Sequence, residues 1–270
     1  AEIERERKQT LAAIRQLEDS PESFSDLAFN HYLFGDHAYS HSALGRESTV
    51  AKIGKKQIIQ HFLNYYRPNN TLMAVVGQFT PQLREDLVRE FAKWEKQEVE
   101  VKKYGAVLPP QGRQALIVSA ADQTQAQIHF GHLGISRRAE DFLAVRLANT
   151  VLGGNGAFAS RLTDKIRRDL GLTYSIDASF DSRSEPGSFQ IRTFTKNESV
   201  GQTVRETLQV LSDFHSKGIT REELEAARGF LQGKFPQSIE TPEKLATNLL
   251  VLRFYGIEDS YLENYIRNLN

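Results

Sequence analysis

Seven histidines are the first residues to consider for chemistry: His31, His37, His41, His61, His129, His132 and His215. His129-Phe-Gly-His132 has the spacing of a metal-binding pair. Residues three apart on a strand point to opposite faces, however, so a strand there keeps the two rings from converging on one ion. His37 and His41 fall beside Asp36 in a polar stretch that reads as a solvated loop. Neither His-Glu-x-x-His nor His-x-x-Glu-His occurs, and there is no P-loop, Gly-x-Gly-x-x-Gly or Gly-x-Ser-x-Gly. The chain has no cysteine, which excludes disulfides, thiolate catalysis and Cys-ligated zinc.

Two further segments carry chemical promise. Gly153-Gly154-Asn155-Gly156 opens onto a helix. Such a loop serves equally as an anion cradle at a helix N-terminus, a hinge or a tight packing turn. Downstream, Arg161, Lys165 and Arg168 recur at spacings of three or four, one face of a helix and, taken alone, a solvated basic face. The short step from Arg167 through Gly171 to Tyr174 carries the chain from helix to strand. That step would bring a guanidinium and a phenol together at the sheet. Both are strong donors, suited to a carbonyl oxygen on which negative charge develops.

The elements that must position these groups follow from periodicity and punctuation. Residues 2–19 predict a helix, with Leu11, Ile14 and Leu17 three apart. Ser20-Pro21-Glu22 predicts a new helix start: a capping serine, proline at the first helical position and an acid in the first turn. A polar loop over 35–48 leads to a helix over 49–66 with Ile58, Ile59, Phe62 and Leu63 inward. Residues 71–76 predict a buried strand, and 81–94 a helix with Leu83, Leu87, Val88 and Phe91 on one face. Strands are expected near 114–119, 125–133, 174–180 and 188–195, with a turn over 184–187. Helices are expected over 139–152, 158–169, 199–217, 220–235 and 241–255. At 270 residues the chain should hold about two domains. Gly105, Pro109, Pro110 and Gly112 mark 102–113 as the linker between 1–101 and 114–270. Lys and Arg together number 34, as do Asp and Glu, and this zero net charge argues against a nucleic-acid partner. No apolar run reaches the roughly 18–20 residues of a membrane span.

An internal repeat links the two ends of the chain. At an offset of 221 residues, Ser20-Pro21-Glu22 falls on Thr241-Pro242-Glu243 and Phe34-Gly35 on Tyr255-Gly256. Glu2, Glu4, Arg7 and Gln16 fall on Glu223, Glu225, Arg228 and Gln237. A repeat of this length expects the counterpart of 114–196 ahead of Ala1 and the counterpart of the 71–76 strand beyond Asn270.

The residues now resemble a known family. Leu152-Gly-Gly-Asn-Gly-Ala-Phe158-Ala-Ser160-Arg161-Leu162, followed by Ile166-Arg167-Arg168-Asp-Leu-Gly171-Leu-Thr-Tyr174-Ser175, resembles the second-domain signature of the pitrilysin-like (M16) zinc peptidases. Tyr65-Tyr66-Arg67-Pro68-Asn69-Asn70 before Leu72-Met-Ala-Val-Val-Gly77 resembles a first-domain segment, as does Phe34-Gly-Asp-His37-Ala-Tyr39-Ser. The resemblance implies an α+β fold of tandem M16-type domains, each a mixed β-sheet with helices packed on one face. It implies that Arg167 and Tyr174, seven residues apart, hold substrate backbone and help stabilise the tetrahedral intermediate.

It further implies that zinc belongs to the family's catalytic domain, held by His-x-x-Glu-His and a later Glu. Glu6 matches a Glu seven residues before that ligand, and the ligand position then holds Ala13, which cannot bind a metal. The resemblance is therefore to a bacterial non-catalytic M16 subunit with no zinc and no catalytic residue in this chain. Such a subunit binds peptide or unfolded protein and completes the chamber of a catalytic M16 partner, or pairs with a second copy of itself. Two alternatives stand beside it: a piece of an active zinc endopeptidase whose His-x-x-Glu-His lies upstream of Ala1, and a non-proteolytic peptide-binding scaffold. Bacterial relatives favour the periplasm over the cytoplasm.

Overall fold

The computed structural model describes residues 1–100, 104–154, 156 and 159–270. Lys102 and Lys103 of the expected linker, Asn155 of the glycine loop and Phe158 of the expected basic helix lie outside the described residues. In chain order come α1 (Glu2–Asp19), α2 (Pro21–Phe34), a four-residue α3 (Glu47–Val50), α4 (Lys55–Tyr65) and α5 (Pro81–Ala92). Then follow β1 (Gln125–Leu133), α6 (Phe142–Leu152), a π-helical stretch (Thr163–Asp169), β2 (Ile176–Phe180) and β3 (Ser188–Lys196). The chain closes with α7 (Val200–Lys217), α8 (Arg221–Ile239), α9 (Pro242–Phe254) and α10 (Ser260–Asn268). The fold class is α+β.

The repeat is legible in the helix caps. Ser20 Oγ accepts from Ser23 N (3.3 Å) ahead of α2, and Thr241 Oγ1 accepts from Lys244 N (3.2 Å) ahead of α9. Both helices carry proline at N1, where its missing N–H costs nothing.

Packing divides the chain into two compact units. The first gathers Ala1–Arg15, Leu44–Tyr104 and Phe235–Tyr265. Its regular elements are helices, and several sequence expectations fail within it. The helix expected over 49–66 starts only at Lys55, because Gly54 acts as N-cap and its N–H donates to Gln57 Oε1 (3.0 Å). The 71–76 segment forms no ladder, and Leu72, Met73 and Val75 are exposed. Ile58, Ile59, Phe62 and Leu63 of α4 are exposed rather than inward, as are Leu83, Val88 and Phe91 of α5. Helical periodicity marks which side is apolar, but burial needs a partner surface, and no strand occurs in this unit among the described residues.

The second unit gathers Gln16–Ala43, Gly105–Lys234 and Ile266–Asn270. Its sheet has three antiparallel strands in the order β1-β3-β2, with Phe130 opposite Ile191 and Ile176 opposite Thr193. The 114–119 segment, expected as a strand, stays outside the sheet with Leu116, Ile117 and Val118 exposed. Period-two alternation turns Phe189, Ile191, Thr193 and Thr195 of β3 to the buried side. There they join a core of Leu152, Leu162, Ile166, Ile176, Ala178 and Val210. A fully buried side chain such as Ile191 contributes about 1.5–3 kcal/mol. On the opposite sheet face, α2 approaches Gly131 so closely that an added Cβ would stand 2.4 Å from Phe29 Cζ. α10 has no counterpart among the expected elements, although Tyr261 and Tyr265, and Leu262 and Ile266, recur four apart.

Candidate functional site

The glycine loop is stitched to the sheet at the end of α6. Asn149 O accepts from both Gly153 N (3.0 Å) and Gly154 N (2.7 Å). Asn149 Nδ2 donates to Ala178 O (3.1 Å), and Ala178 N donates to Gly153 O (3.1 Å). A Cβ on Gly154 would stand 2.0 Å from Asn149 Nδ2 and 2.7 Å from Ala178 O. Glycine is needed here because backbone, amide and strand approach within contact distance. With both N–H groups spent on Asn149, Gly153 and Gly154 form a tight packing turn and offer nothing to an anion.

Beyond the loop, the helix widens into the π-helical stretch, anchored by the buried Leu162, Thr163 and Ile166. Leu170 N donates to Lys165 O (3.2 Å), the five-residue step of a π-turn. Leu172 N then closes onto Ile166 O (3.0 Å), and Gly171 reverses the chain at φ +59°, where a side chain would be strained. The widened turn breaks the 3.6-residue register that would line up three cations. Arg161 makes a two-point contact with Glu223 (2.6 Å each), donates to Gly218 O (2.7 Å) and lies over Phe214 (5.1 Å). Its hydrogen bonds hold the Glu223 carboxyl below the usual carboxylate range. Lys165 stands 3.8 Å from Glu206, and Arg168 pairs with Asp164. The expected solvated basic face holds for Lys165 and Arg168, whose pairs are exposed, while Arg161 is drawn into a half-buried pair with Glu223.

Arg167 differs. It is exposed and makes no ion pair among the described residues. Its Cζ lies 5.0 Å from the centre of the Tyr174 ring, a cation–π contact. Tyr174 is 76% exposed, and its hydroxyl has no hydrogen-bond partner among the described residues. The two donors therefore stand together on the surface. Tyr174 precedes β2 and is held by threonines. Thr193 Oγ1 donates to Ser175 O (2.9 Å), Thr195 Oγ1 to Leu172 O (2.6 Å) and Thr173 Oγ1 to Ser175 O (2.8 Å). Beside the pair runs a groove of about 280 Å³ lined by Gly153, Gly156, Thr163, Arg167, Ser175, Ile176 and Asp177.

Sequence reasoning missed Asn149, Thr193 and Thr195. A signal was present in the alternation of β3, which puts two hydroxyls at core positions where only a bonded hydroxyl is tolerated. Thr195→Val keeps the shape and leaves the Leu172 carbonyl without its donor. It should cost about 1–2 kcal/mol in chemical denaturation, and an unchanged midpoint would show that the bond does not hold this segment.

The histidines gather no metal. His129 and His132 face opposite sides of β1: His129 stacks on Phe29 (5.5 Å) and His132 packs on Phe189 (4.9 Å). His37 Nδ1 accepts from Tyr39 N (3.1 Å) as a cap, where a solvated loop was expected. Among the described residues no three His, Asp or Glu side chains are grouped to hold a metal ion, so the residues present do not fit a zinc site.

Residues 52–231 match the family described as the peptidase M16 inactive domain. The chain belongs to the peptidase M16 inactive-domain family. A relative from Bacillus subtilis, named an uncharacterized zinc protease (YmxG), is 26% identical over 251 residues, covering 92% of this chain and 59% of the relative. A Helicobacter pylori relative, also 26% identical and covering 88% of this chain and 55% of itself, is named a non-peptidase homolog. The crystal structure of a peptidase M16 inactive domain from Pseudomonas fluorescens superposes over 99% of this chain and 64% of its own, with a TM-score of 0.87 and 24% identity. That likeness establishes the M16 fold. The chain spans less than two thirds of the length of these M16 relatives. Zinc therefore belongs to the family through relatives named zinc proteases.

Proposed function

We propose that this chain is the non-catalytic, peptide-binding part of an M16 subunit that completes the chamber of a zinc endopeptidase. The observation that carries the reading is the Arg167–Tyr174 pair. It is one guanidinium and one phenol, surface-exposed, in contact with each other and tied to no acid among the described residues. Such donors hold a peptide carbonyl and stabilise the negative charge that grows on its oxygen during cleavage. Zinc and its bound water would come from a catalytic M16 partner, because Ala13 stands where the resemblance places a ligand. On this reading the chain carries tandem domains over 1–101 and 114–270 joined by 102–113, and takes either a catalytic M16 subunit or a second copy as partner.

Metal analysis of the purified full-length protein tests this first. No stoichiometric zinc is expected, and one tightly bound zinc per chain would turn the reading toward an active endopeptidase, as the name of the Bacillus subtilis relative suggests. Peptide cleavage that appears only on mixing with a catalytic M16 subunit supports chamber completion. Binding of unfolded peptide without cleavage in any mixture would favour a scaffold.

A further inference from the structure

One wall of the groove beside Arg167 is the outer edge of β2, through Ile176 and Asp177. Asp181 N donates to Ser188 O, so the odd-numbered residues of β2 turn their backbone groups to β3. Ala178 N donates to Gly153 O on the other side, so the even-numbered residues turn theirs outward. Ile176 therefore offers its N–H and C=O to the groove. Ala178 closes the edge beyond it, because Gly153 takes its N–H and Asn149 Nδ2 its C=O (3.1 Å). An extended peptide can pair with Ile176 but cannot run on along β2 past that stitch.

The charge around the groove is positive. Arg167 lines it and makes no ion pair among the described residues. Lys234 of α8 holds its Nζ 3.6 Å from where a Cβ on Gly156, another lining residue, would stand, and lies over Phe230 (5.5 Å). The acid in the lining, Asp177, serves the other face of the sheet. Its neighbours Ile176 and Ala178 join the core, so its side chain alternates away from them and accepts from Arg192 (3.2 Å). Asp164 is paired with Arg168. Ser175 also lines the groove, and its hydroxyl makes no hydrogen bond among the described residues. The groove thus gathers donors and positive charge without an anion to match them.

We propose that this groove seats a carboxylate of the bound peptide and that Lys234 selects for it. The inference rests on the peptide-binding reading above and narrows the substrate class to peptides with an acid at the docked end. Ile176 N–H and the Ser175 hydroxyl donate to the carboxylate, Ile176 O receives a peptide N–H, and Arg167 and Lys234 supply the opposite charge. A peptide C-terminus and an Asp or Glu side chain both offer this group. The closure of the edge at Ala178 suits a chain that ends there.

Binding of three unstructured peptides, labelled at the N-terminus, to the full-length protein tests this. One is a free acid without Asp or Glu, the second its C-terminal amide, and the third that amide with one Glu near its end. The free acid should bind about tenfold more tightly than the plain amide at low salt, since hydrogen bonds to a charged group are the stronger ones. The gap should narrow as salt rises. Lys234→Gln, at an exposed position, should weaken binding of the free acid several-fold and shrink the gap. Tight binding of the Glu-bearing amide assigns the carboxylate to a side chain, and tight binding of the free acid alone assigns it to the chain end. Equal affinities for all three, or an undiminished gap in Lys234→Gln, would overturn the proposal while peptide binding stands. Failure of every peptide to bind would overturn the peptide-binding reading and this inference with it.

Discussion

Arg167→Ala is expected to lower partner-assisted peptide cleavage by about 100-fold while leaving the unfolding midpoint unchanged. The contrast along the π-helical stretch sets this expectation. Arg161 is tied to the half-buried Glu223, and Lys165 and Arg168 make exposed pairs with Glu206 and Asp164 that hold those cations on the protein itself. Among the described residues Arg167 is partnered only by the Tyr174 ring, and both groups are exposed. Removing it should therefore cost little folding energy and, on the proposed function, one of the two donors offered to a peptide carbonyl. Arg167→Lys keeps the charge but loses the planar fork and the stacking, so it should restore little. Tyr174→Phe keeps the ring beneath the guanidinium and removes one neutral hydrogen bond, a loss of roughly tenfold. The measurement is kcat/KM on an unstructured peptide with the catalytic partner in excess, alongside thermal unfolding. Full activity in Arg167→Ala would take the pair out of the site.

The second large effect concerns stability. Gly154→Ala should destabilise the second unit by about 3 kcal/mol, as buried overpacking does. The new methyl group would stand 2.0 Å from Asn149 Nδ2 and 2.7 Å from the Ala178 carbonyl. Asn149 cannot simply swing aside, because its amide supplies the Ala178 bond and its own carbonyl receives Gly153 and Gly154. Relief of the clash breaks the stitch between α6 and β2 and leaves buried polar groups unpaired. Urea unfolding of wild type and variant checks this. A midpoint within experimental error of the wild type would mean that the loop is not clamped to β2.

The two effects separate what was legible at the site from what was not. The contact between Arg167 and Tyr174 was legible, because the short step between them through Gly171 brings helix and strand together. Asn149 was not, since an asparagine in the last turn of an apolar helix looks like any polar residue until the strand it meets is known. The glycine loop left three readings open, and only the partners of its N–H groups chose among them. The apolar faces of α4 and α5 show the opposite failure. Their periodicity was plain, but no strand occurs in their unit among the described residues and their apolar side chains stay exposed.

Local chemistry was thus determined by the sequence alone. The Ser20-Pro21 and Thr241-Pro242 starts, the helices they begin and the alternation of β3 all follow from interactions within a few residues. The segments 71–76 and 114–119 read as strands for the same local reason, yet a strand exists only through hydrogen bonds to a neighbour far away in sequence. Tertiary structure decided those, and it decided that Arg161 is spent on Glu223 while Arg167 meets Tyr174. It also placed His129 against Asp26, 103 residues earlier in the chain, because only the docking of α2 onto β1 removes water from between them.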